Sequence, residues 1–316
     1  MSRKVATRAS YGEALRDLGA THSDIVVLDA DLSVTTQTQH FAKAYPDRFF
    51  NMGIAECNMA GVAAGLATAG KIPVMSTFAI FAAGRAWEQI RNSIAYPQLN
   101  VKICATNGGL SVGEDGGTHQ CTEDLSLMRT IPNMTVICPC DGHEVKAAMD
   151  AIIKLKGPAY VRLGRMAVEV ITDQIPGYRF EIGKGQLLRS GTDVTIVACG
   201  ITVQMSFAAA EMLAAQGISA RVINMPTIKP LDKDILIAAA RETGAIVTSE
   251  EHSIIGGLGS AVAEYLAEHY PVPVMRHGVE DQFGRSGTAE KVLELYGITS
   301  ETIVQRALDA VKAKKR

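Results

Sequence analysis

Apolar and polar positions follow two patterns along the chain, short apolar runs and longer amphipathic segments. The short runs are typical of buried strands, and the longer segments repeat their apolar positions every three or four residues, as helices do. In the first half, this pattern predicts strands at 24–31, 72–77, 101–105, 135–138 and 160–163, separated by helices at 11–18, 51–70, 79–95 and 143–154. In the second half, it predicts strands at 194–198, 220–224, 245–249 and 272–276, with helices between them.

Strands and helices alternate throughout the chain. This alternation predicts an α/β protein of two doubly wound domains, the first with a mainly parallel sheet and the second smaller. From 168 to 190 the periodicity fails and prolines and glycines appear, which indicates an interdomain connection. The predicted organisation is a first domain at 1–167, a linker at 168–190 and a second domain at 191–316.

The segment 51–70 consists almost wholly of Ala, Gly and medium-sized apolar residues, with one acid, Glu56, near its start. Its buried helical face is predicted to consist of Met59, Val62, Ala63 and Leu66. Glu56 lies three residues before Met59, so its carboxyl group points with that face and away from water. A buried, unpaired charge is costly, so this carboxyl group needs a partner, either a core salt bridge or a ligand.

Composition and charge exclude several classes of protein. The net charge of −2 gives no reason to expect binding to nucleic acid or to an anionic membrane. No apolar run approaches the roughly 18 residues of a membrane span, and the polar start does not resemble a signal peptide. The six cysteines are scattered through apolar stretches, as in proteins of a reducing compartment, so we expect a cytoplasmic protein.

The segment 107–120 has candidate chemistry. It contains five glycines in fourteen residues, and a loop so rich in glycine is seldom only a connection. Asp115 and His119 bracket two of these glycines, so an acid and an imidazole can converge on one small polar ligand. A Ser-His-Asp hydrolase would need a nucleophile elbow, and no G-x-S-x-G occurs in the sequence.

A dinucleotide fingerprint is suggested by Gly257 and Gly259, which open a helix, with Glu280 and Asp281 about twenty residues on. However, the preceding strand ends near Ser249, so a loop separates it from the glycines. In the fingerprint the glycines form the tight turn itself. We therefore favour a helix that packs closely through small residues over an NAD site.

A zinc site can be drawn from four side chains in the first half, Cys121, Cys138, Cys140 and His119. The two closest cysteines do not have the C-x₂-C spacing, and a proline stiffens the chain between them. We therefore expect no metal site in this chain.

Four ordered motifs carry a family resemblance: GIAE at 53–56, STFAIF at 76–81, GEDGGTHQ at 113–120 and IPN at 131–133. They resemble the middle, pyrimidine-binding domain of transketolase, and EEHSIIGGLGS at 250–260 resembles its C-terminal domain. The half of thiamine diphosphate enzymes that binds diphosphate carries a Gly-Asp-Gly motif, and none occurs here. The chain thus resembles the C-terminal subunit of a split transketolase, with half of an active site.

The resemblance implies roles for several residues at the cofactor. Glu56 matches the glutamate that hydrogen-bonds the aminopyrimidine ring of thiamine diphosphate and stabilises its imino tautomer. Phe78 and Phe81 match the aromatic residues that enclose the pyrimidine, although for this pair taken alone we would favour ordinary core packing. Asp31 and Leu32 match a segment that lies against the cofactor.

Other residues are implied to bind substrate. Asp115 and His119 match the loop that contacts the sugar hydroxyls, where His119 also assists proton transfer. Arg165 matches an arginine that binds the sugar phosphate, and Thr35 stands where the family has a serine for the same phosphate. Asn107 stands where transketolases usually carry a histidine.

Two further positions depart from the family or align poorly with it. Gly84 replaces an aromatic residue beside the pyrimidine. Arg8 is a further candidate for the phosphate, although its alignment with the family arginine is off by one. These departures, like Asn107, bear on the sugar more than on the cofactor.

The resemblance also implies partners. Mg²⁺ would be held by the partner, an N-terminal transketolase subunit with the diphosphate-binding domain, in an α2β2 assembly that acts on sugar phosphates. The β subunit of a 2-oxo acid dehydrogenase and deoxyxylulose-phosphate synthase share parts of this pattern and are alternatives. A non-catalytic partner subunit is a third, which the joint presence of Glu56, Asp115, His119 and Arg165 disfavours.

Overall fold

The computed structural model describes residues 3–314. Its strands, in chain order, are β1 Lys4–Ala6, β2 Ile25–Asp29, β3 Phe49–Asn51, β4 Ile72–Phe78, β5 Lys102–Thr106, β6 Thr135–Ile137, β7 Ala159–Arg162, β8 Ala167–Glu169, β9 Gln186–Arg189, β10 Val194–Ala198, β11 Ala220–Asn224, β12 Thr227–Lys229, β13 Ile246–Ser253 and β14 Val274–Val279. Its α-helices are α1 Thr7–Thr21, α2 Ser33–Thr36, α3 Gln39–Ala44, α4 Glu56–Thr68, α5 Trp87–Gln89, α6 Asp124–Arg129, α7 Gly142–Lys154, α8 Thr202–Ala214, α9 Lys233–Thr243, α10 Leu258–His269, α11 Ala289–Leu295 and α12 Ser300–Ala313.

The first sheet has the strand order β12-β6-β7-β5-β4-β2-β3, and all its pairings except β12–β6 are parallel. Apolar side chains of α1 and α7 share a core with one face of this sheet, and those of α4 share a core with the other face. This arrangement confirms the predicted doubly wound α/β architecture. None of the helices within residues 3–314 combines the length and apolar character that crossing a bilayer requires.

The second sheet has the order β14-β13-β10-β11-β9, with only β9 antiparallel to its neighbour. The segment 168–190 contributes to both halves of the molecule, because β8 pairs with β1 and β9 joins the second sheet. Conversely, β12 follows the first strands of the second sheet in the chain but pairs with β6 in the first sheet. The chain therefore enters the second domain and then returns one strand, β12, to the first sheet.

The helix predicted at 51–70 begins later than expected. Residues Phe49–Asn51 form β3 beside β2, and Glu56 is the first residue of α4. The buried face of α4 consists of Glu56, Met59, Ala60, Ala63 and Ala64, so the acid does share the apolar face. The prediction that Val62 belongs to that face was wrong, since its side chain is 36% exposed.

The helix predicted at 79–95 is also corrected. The strand predicted at 72–77 extends to Phe78, which ends β4 and pairs with Thr106 of β5. Two π-helical segments, Phe81–Arg85 and Ile90–Ala95, then flank the short α5. Such wide turns insert an extra residue into a helix and often occur at functional sites.

Asp141 caps α7 from a fully buried position between the two domains. Its carboxylate accepts the backbone N–H of Glu144 at 2.9 Å, and the N–H groups of Ile171 and Thr172 at 2.8 Å. The hydroxyl of Thr172 donates to it as well, at 2.9 Å. One side chain therefore joins the start of α7 to the chain that leaves the first domain.

We expect Asp141→Ala to lower the unfolding free energy by about 2–5 kcal/mol, because it removes a helix cap and leaves buried N–H groups unpaired. Thr288→Ala is the matched control, since Thr288 caps α11 through a hydrogen bond to the N–H of Lys291. It should cost about 0.5–2 kcal/mol. Urea unfolding of the full chain measures both, and equal losses would contradict the role of Asp141.

Candidate active site

The carboxyl ends of the central strands of the first sheet lie side by side. In the register of the sheet, Asp29 of β2 pairs with Ser76 of β4, and Phe78 of β4 pairs with Thr106 of β5. The residues that follow these strand ends therefore meet at one edge, where ligands of open α/β sheets bind. Most of the predicted site residues come from this edge or from α4 beside it.

Glu56, the first residue of α4, lies buried beside this edge and forms an ion pair with Arg85. Its side chain is 1% exposed, and its Oε2 accepts a hydrogen bond from Nη1 of Arg85 at 2.8 Å. The side chain of Arg85 is 46% exposed, so this pair joins the protein interior to the surface. The thiol of Cys57 also donates to the carbonyl oxygen of Arg85 at 3.3 Å and keeps this residue close to the start of α4.

Phe78 and Phe81 form a stacked pair, with ring centroids 5.8 Å apart and planes inclined by 11°. His119 presents the edge of its ring to both, with centroids 6.1 Å from Phe78 and 5.5 Å from Phe81. Its Nδ1 lies 2.9 Å from the hydroxyl oxygen of Thr118. The structure thus brings together the aromatic pair and the histidine that the sequence placed in separate motifs.

The residues present fit the pyrimidine of thiamine diphosphate, because a flat group of similar chemistry already occupies their contacts. The guanidinium carbon of Arg85 lies 4.4 Å from the ring centroid of Phe81, and the same group donates to Glu56. An aminopyrimidine stacked on this ring would likewise offer N–H groups to the carboxylate. Arg85 was missed by sequence reasoning, although its position four residues after Phe81 is one at which helical side chains meet.

Asp31 and Leu32 lie just beyond β2, on a segment that Asp29 holds in place. Asp29 accepts the N–H of Leu32 at 2.6 Å and the hydroxyl of Thr36 at 2.6 Å, and burial raises the pKa of its carboxyl group. Asp31 is exposed with a positive φ of 64°, and its Oδ1 accepts a hydrogen bond from Asn51 at 2.9 Å. The roles of Asp31 and Leu32 at the cofactor stay predictions.

A second corner of the site holds two arginines, Arg8 and Arg165. Arg165 donates to the carbonyl of Val112 at 2.6 Å and forms an ion pair with Asp115 at 3.1 Å. Arg8 donates to the carbonyl of Thr35 at 3.1 Å, and burial together with the charge of Arg165 lowers the pKa of its guanidinium. The predicted substrate residues Asp115, Arg165 and Thr35 therefore gather with Arg8, and an anion would relieve the repulsion between the arginines.

Asn107 is unusual among the predicted site residues. It is 0% exposed and has a positive φ of 56°, a conformation that is strained for most side chains. Both polar atoms of its amide are buried without a hydrogen-bond partner among the described residues. Buried polar groups are normally paired, so the amide of Asn107 is an exception among the described residues.

The dinucleotide fingerprint considered in the sequence analysis has a structural explanation. The N–H groups of Leu258 and Gly259 at the start of α10 both donate to the carboxylate of Glu250, each at 2.7 Å. The chain's own acid thus takes the place that a dinucleotide phosphate would need. Over residues 3–314, no group of three or more His, Cys, Asp or Glu side chains is arranged to hold a metal ion.

The chain is similar to known proteins over almost its whole length. The sequence matches the family model "Transketolase, pyrimidine binding domain" over residues 3–170 and "Transketolase, C-terminal domain" over residues 183–303. It is 50% identical over 306 residues to a putative transketolase C-terminal section of Methanocaldococcus jannaschii, covering 96% of each chain. It is 44% identical over 308 residues to a 6-deoxy-6-sulfo-D-fructose transketolase subunit of a Clostridium species, covering 97% of this chain and 95% of that one.

A solved structure is also similar over the whole length of the chain. It is described as a split gene transketolase, an inactive beta4 tetramer, and shares 54% sequence identity with a TM-score of 0.91. The match covers 98% of this chain and 99% of that one. Together with the family models, it confirms the resemblance to transketolase and the predicted fold.

We expect Arg85→Met to lower the unfolding free energy of the isolated chain, because the buried carboxylate of Glu56 loses its partner. The loss should be about 1–2 kcal/mol, between the contribution of a charged hydrogen bond and that of an exposed ion pair. Arg91→Met is the control, because Arg91 is exposed and donates to the adjacent Asn92. Denaturant unfolding of both variants decides the question, and indistinguishable stabilities would argue against the pair.

Proposed function

This chain belongs to the transketolase family, as the transketolase-type C-terminal subunit of a split enzyme, and we propose that it supplies the pyrimidine half of a thiamine diphosphate site. Dependence on thiamine diphosphate follows from the family. The proposed reaction moves a two-carbon ketol unit between sugar phosphates. The proposed partner is an N-terminal subunit that binds the diphosphate and Mg²⁺, in an assembly of two copies of each chain.

The observation that carries this proposal is the buried Glu56 carboxylate beside the stacked pair of Phe78 and Phe81. Glu56 shares its buried helix face with Met59 and Ala60, which keep water from one side of the carboxylate. A carboxyl group in such surroundings can share a proton with a ring nitrogen held against it. Phe81 would fix the plane of that ring by stacking.

Thiamine diphosphate, when bound, supplies a carbon nucleophile that can carry the ketol unit from donor to acceptor. His119 is proposed to act next to it, by moving a proton at a hydroxyl group of the sugar. Its ring edge lies against Phe78 and Phe81, so the imidazole borders the proposed site of the pyrimidine beside these two rings, called the aromatic slot here. Asp115, on the same loop, is proposed to accept hydrogen bonds from the sugar hydroxyls.

The surface around α4 supports a partner chain. Exposed residues from Phe50 to Gly70 carry no charge, and they include Ile54 and Val62. Loss of charged residues is a feature of the buried centre of protein interfaces. This uncharged surface adjoins Glu56, so a partner docked there would complete the site from the side that the chain leaves open.

The pair of Arg8 and Arg165 is proposed to bind the terminal anion of the sugar. Guanidinium groups bind the oxygens of phosphate through paired hydrogen bonds, and a sulfonate offers similar oxygens. The Clostridium relative is named for a sulfo sugar, so both phosphate and sulfonate are candidate anions. Assays of this enzyme with each kind of sugar would identify the anion that it binds. The unpaired amide of Asn107 is proposed to hydrogen-bond the substrate in place of the usual histidine.

A cytoplasmic location is part of the proposal. The six cysteines are free thiols, and five of them are buried, as in proteins of a reducing compartment. Burial raises the pKa of the Cys104 thiol to about 12, so this group is inert at neutral pH.

We expect Glu56→Gln to lower kcat of the enzyme reconstituted with its N-terminal subunit by on the order of 10²–10⁴, at saturating thiamine diphosphate. The amide keeps the shape and can still accept a hydrogen bond from Arg85, but it cannot share a proton as the acid does. Steady-state assays with hydroxypyruvate as ketol donor measure the change. Near-normal kcat in the variant would refute the role of Glu56. The chain without its partner should show no turnover, and calorimetry should detect only weak binding of the cofactor.

We expect Arg165→Ala to raise KM for a phosphorylated donor by about 10- to 150-fold with little change in kcat, because it removes a charged hydrogen bond present throughout the reaction. His119→Ala should instead lower kcat with a smaller change in KM. The comparison uses hydroxypyruvate with a small unphosphorylated aldehyde, for which Arg165 should be dispensable and His119 still needed. Equal effects of Arg165→Ala on both kinds of substrate would contradict its role in binding the anion and would leave Arg8 as the candidate.

A further inference from the structure

The loop that carries Asp115 and His119 is closed at its base by buried groups. The N–H of Gly109 donates to the carbonyl of Cys121 at 2.8 Å, so the loop begins and ends at one bridge. Nη2 of Arg162 donates to the same carbonyl at 2.9 Å and to the carbonyl of Glu251, in the second domain, at 2.8 Å. The side chain of Glu251 accepts the N–H of Ser111. The base of the loop is thus held by both domains.

The tip of the loop is held by the second domain as well. The side-chain amide of Gln120 donates to the carbonyl of Arg285 at 2.9 Å, and it also lies 3.3 Å from two carbonyl oxygens of the loop, those of Leu110 and Gly113. A side chain on Gly116 or Gly117 would overlap Ser286 or the carbonyl of Gly284, respectively. The segment 284–286, named the clasp here, therefore lies in direct contact with the turn before His119.

This turn sets the position of the histidine. Gly116 has a positive φ of 76°, and its carbonyl accepts the N–H groups of His119 at 2.9 Å and Gln120 at 3.1 Å. The side chain of Gln120 is buried, whereas His119 is only partly buried and faces the aromatic pair. A shift of Gln120 would therefore move His119 relative to Phe81.

We propose that the clasp and Gln120 are positioning elements for the active site: the second domain holds the loop so that His119 and Asp115 face the substrate. This inference rests on the proposed function, since it assumes that these two residues act on the sugar. It gives the second domain a part in the reaction although none of its residues reaches the aromatic slot within the described contacts. Misplacement of a reacting group by about 1 Å can cost on the order of 10² in rate.

Gly284→Ala tests the clasp. Its backbone has no positive φ, so alanine is strained only by space, and the added Cβ would overlap Oε1 of Gln120. In the reconstituted enzyme, with hydroxypyruvate and an aldopentose phosphate as substrates, we expect kcat to fall by about 10- to 100-fold. The Kd of thiamine diphosphate should stay unchanged, because Glu56 and Phe81 are not on this loop. A general structural defect would weaken cofactor binding as well.

Gly287→Ala is the matched control, since its added Cβ would meet only Val292 within the second domain and should leave kcat unchanged. Gln120→Ala removes the hydrogen bond to Arg285 without adding atoms, so it tests the same contact if Gly284→Ala does not fold. It should lower kcat too. The double variant should be no slower than Gln120→Ala alone, because the overlap with Oε1 has gone and only Cβ of residue 120, at 3.2 Å, stays near.

The two hypotheses fail in different ways. If His119→Ala lowers kcat but Gly284→Ala and Gln120→Ala both match the wild type, the positioning role is overturned and the proposed function stands. If His119→Ala leaves kcat unchanged, the catalytic part of the proposed function is overturned, and the inference about the clasp with it. Purely additive losses in the double variant would also overturn the proposed contact.

Discussion

The ion pair of Arg162 and Asp124 is the interaction on which the active-site edge and the domain interface both depend. Nε of Arg162 lies 3.2 Å from Oδ2 of Asp124, and Tyr160 donates to the same oxygen at 2.7 Å. Burial by itself lowers the pKa of the Arg162 guanidinium, but the charge of Asp124 and other nearby groups outweighs this effect and raises it. The guanidinium stays charged and links the end of β7, the active-site loop and β13. Gly108 packs against this side chain so closely that no Cβ would fit there.

Much of the fold follows from sequence periodicity. The strands at 194–198 and 220–224 agree with the prediction, because short, largely buried segments with β-branched residues leave little choice of structure. The boundaries around α4 and after β4 were wrong, since they depend on neighbours. Strand pairing places Asn51 in β3, where the sequence analysis began a helix, and it extends β4 by one residue to Phe78. The π-helical turn at Phe81–Arg85 likewise has no signature in apolar spacing.

The candidate site was accessible to sequence reasoning where ordered motifs carried it. Glu56 could be singled out as a lone acid in an apolar helix, and Asp115 and His119 as polar residues in a glycine-rich loop. Arg85 and the clasp could not, because they act through contacts between segments far apart in the chain. Glu56 and Arg85 are 29 residues apart, and Gln120 and Arg285 are 165 apart. A single sequence gives no measure of such distances, so the partner of the buried acid stayed open between a salt bridge and a ligand.

The placement of β12 has a consequence for dividing the molecule. Residues Thr227–Lys229 pair with β6, and Nζ of Lys229 donates to the carbonyls of Arg129 and Ile131 at 2.9 and 2.7 Å. A fragment cut in the segment between the two family-model matches would lose this edge strand and expose β6, whose free N–H and C=O groups invite pairing with other chains. The two family units are thus not independent folding units. A break between them would leave β6 and β12 without each other as partners in the sheet.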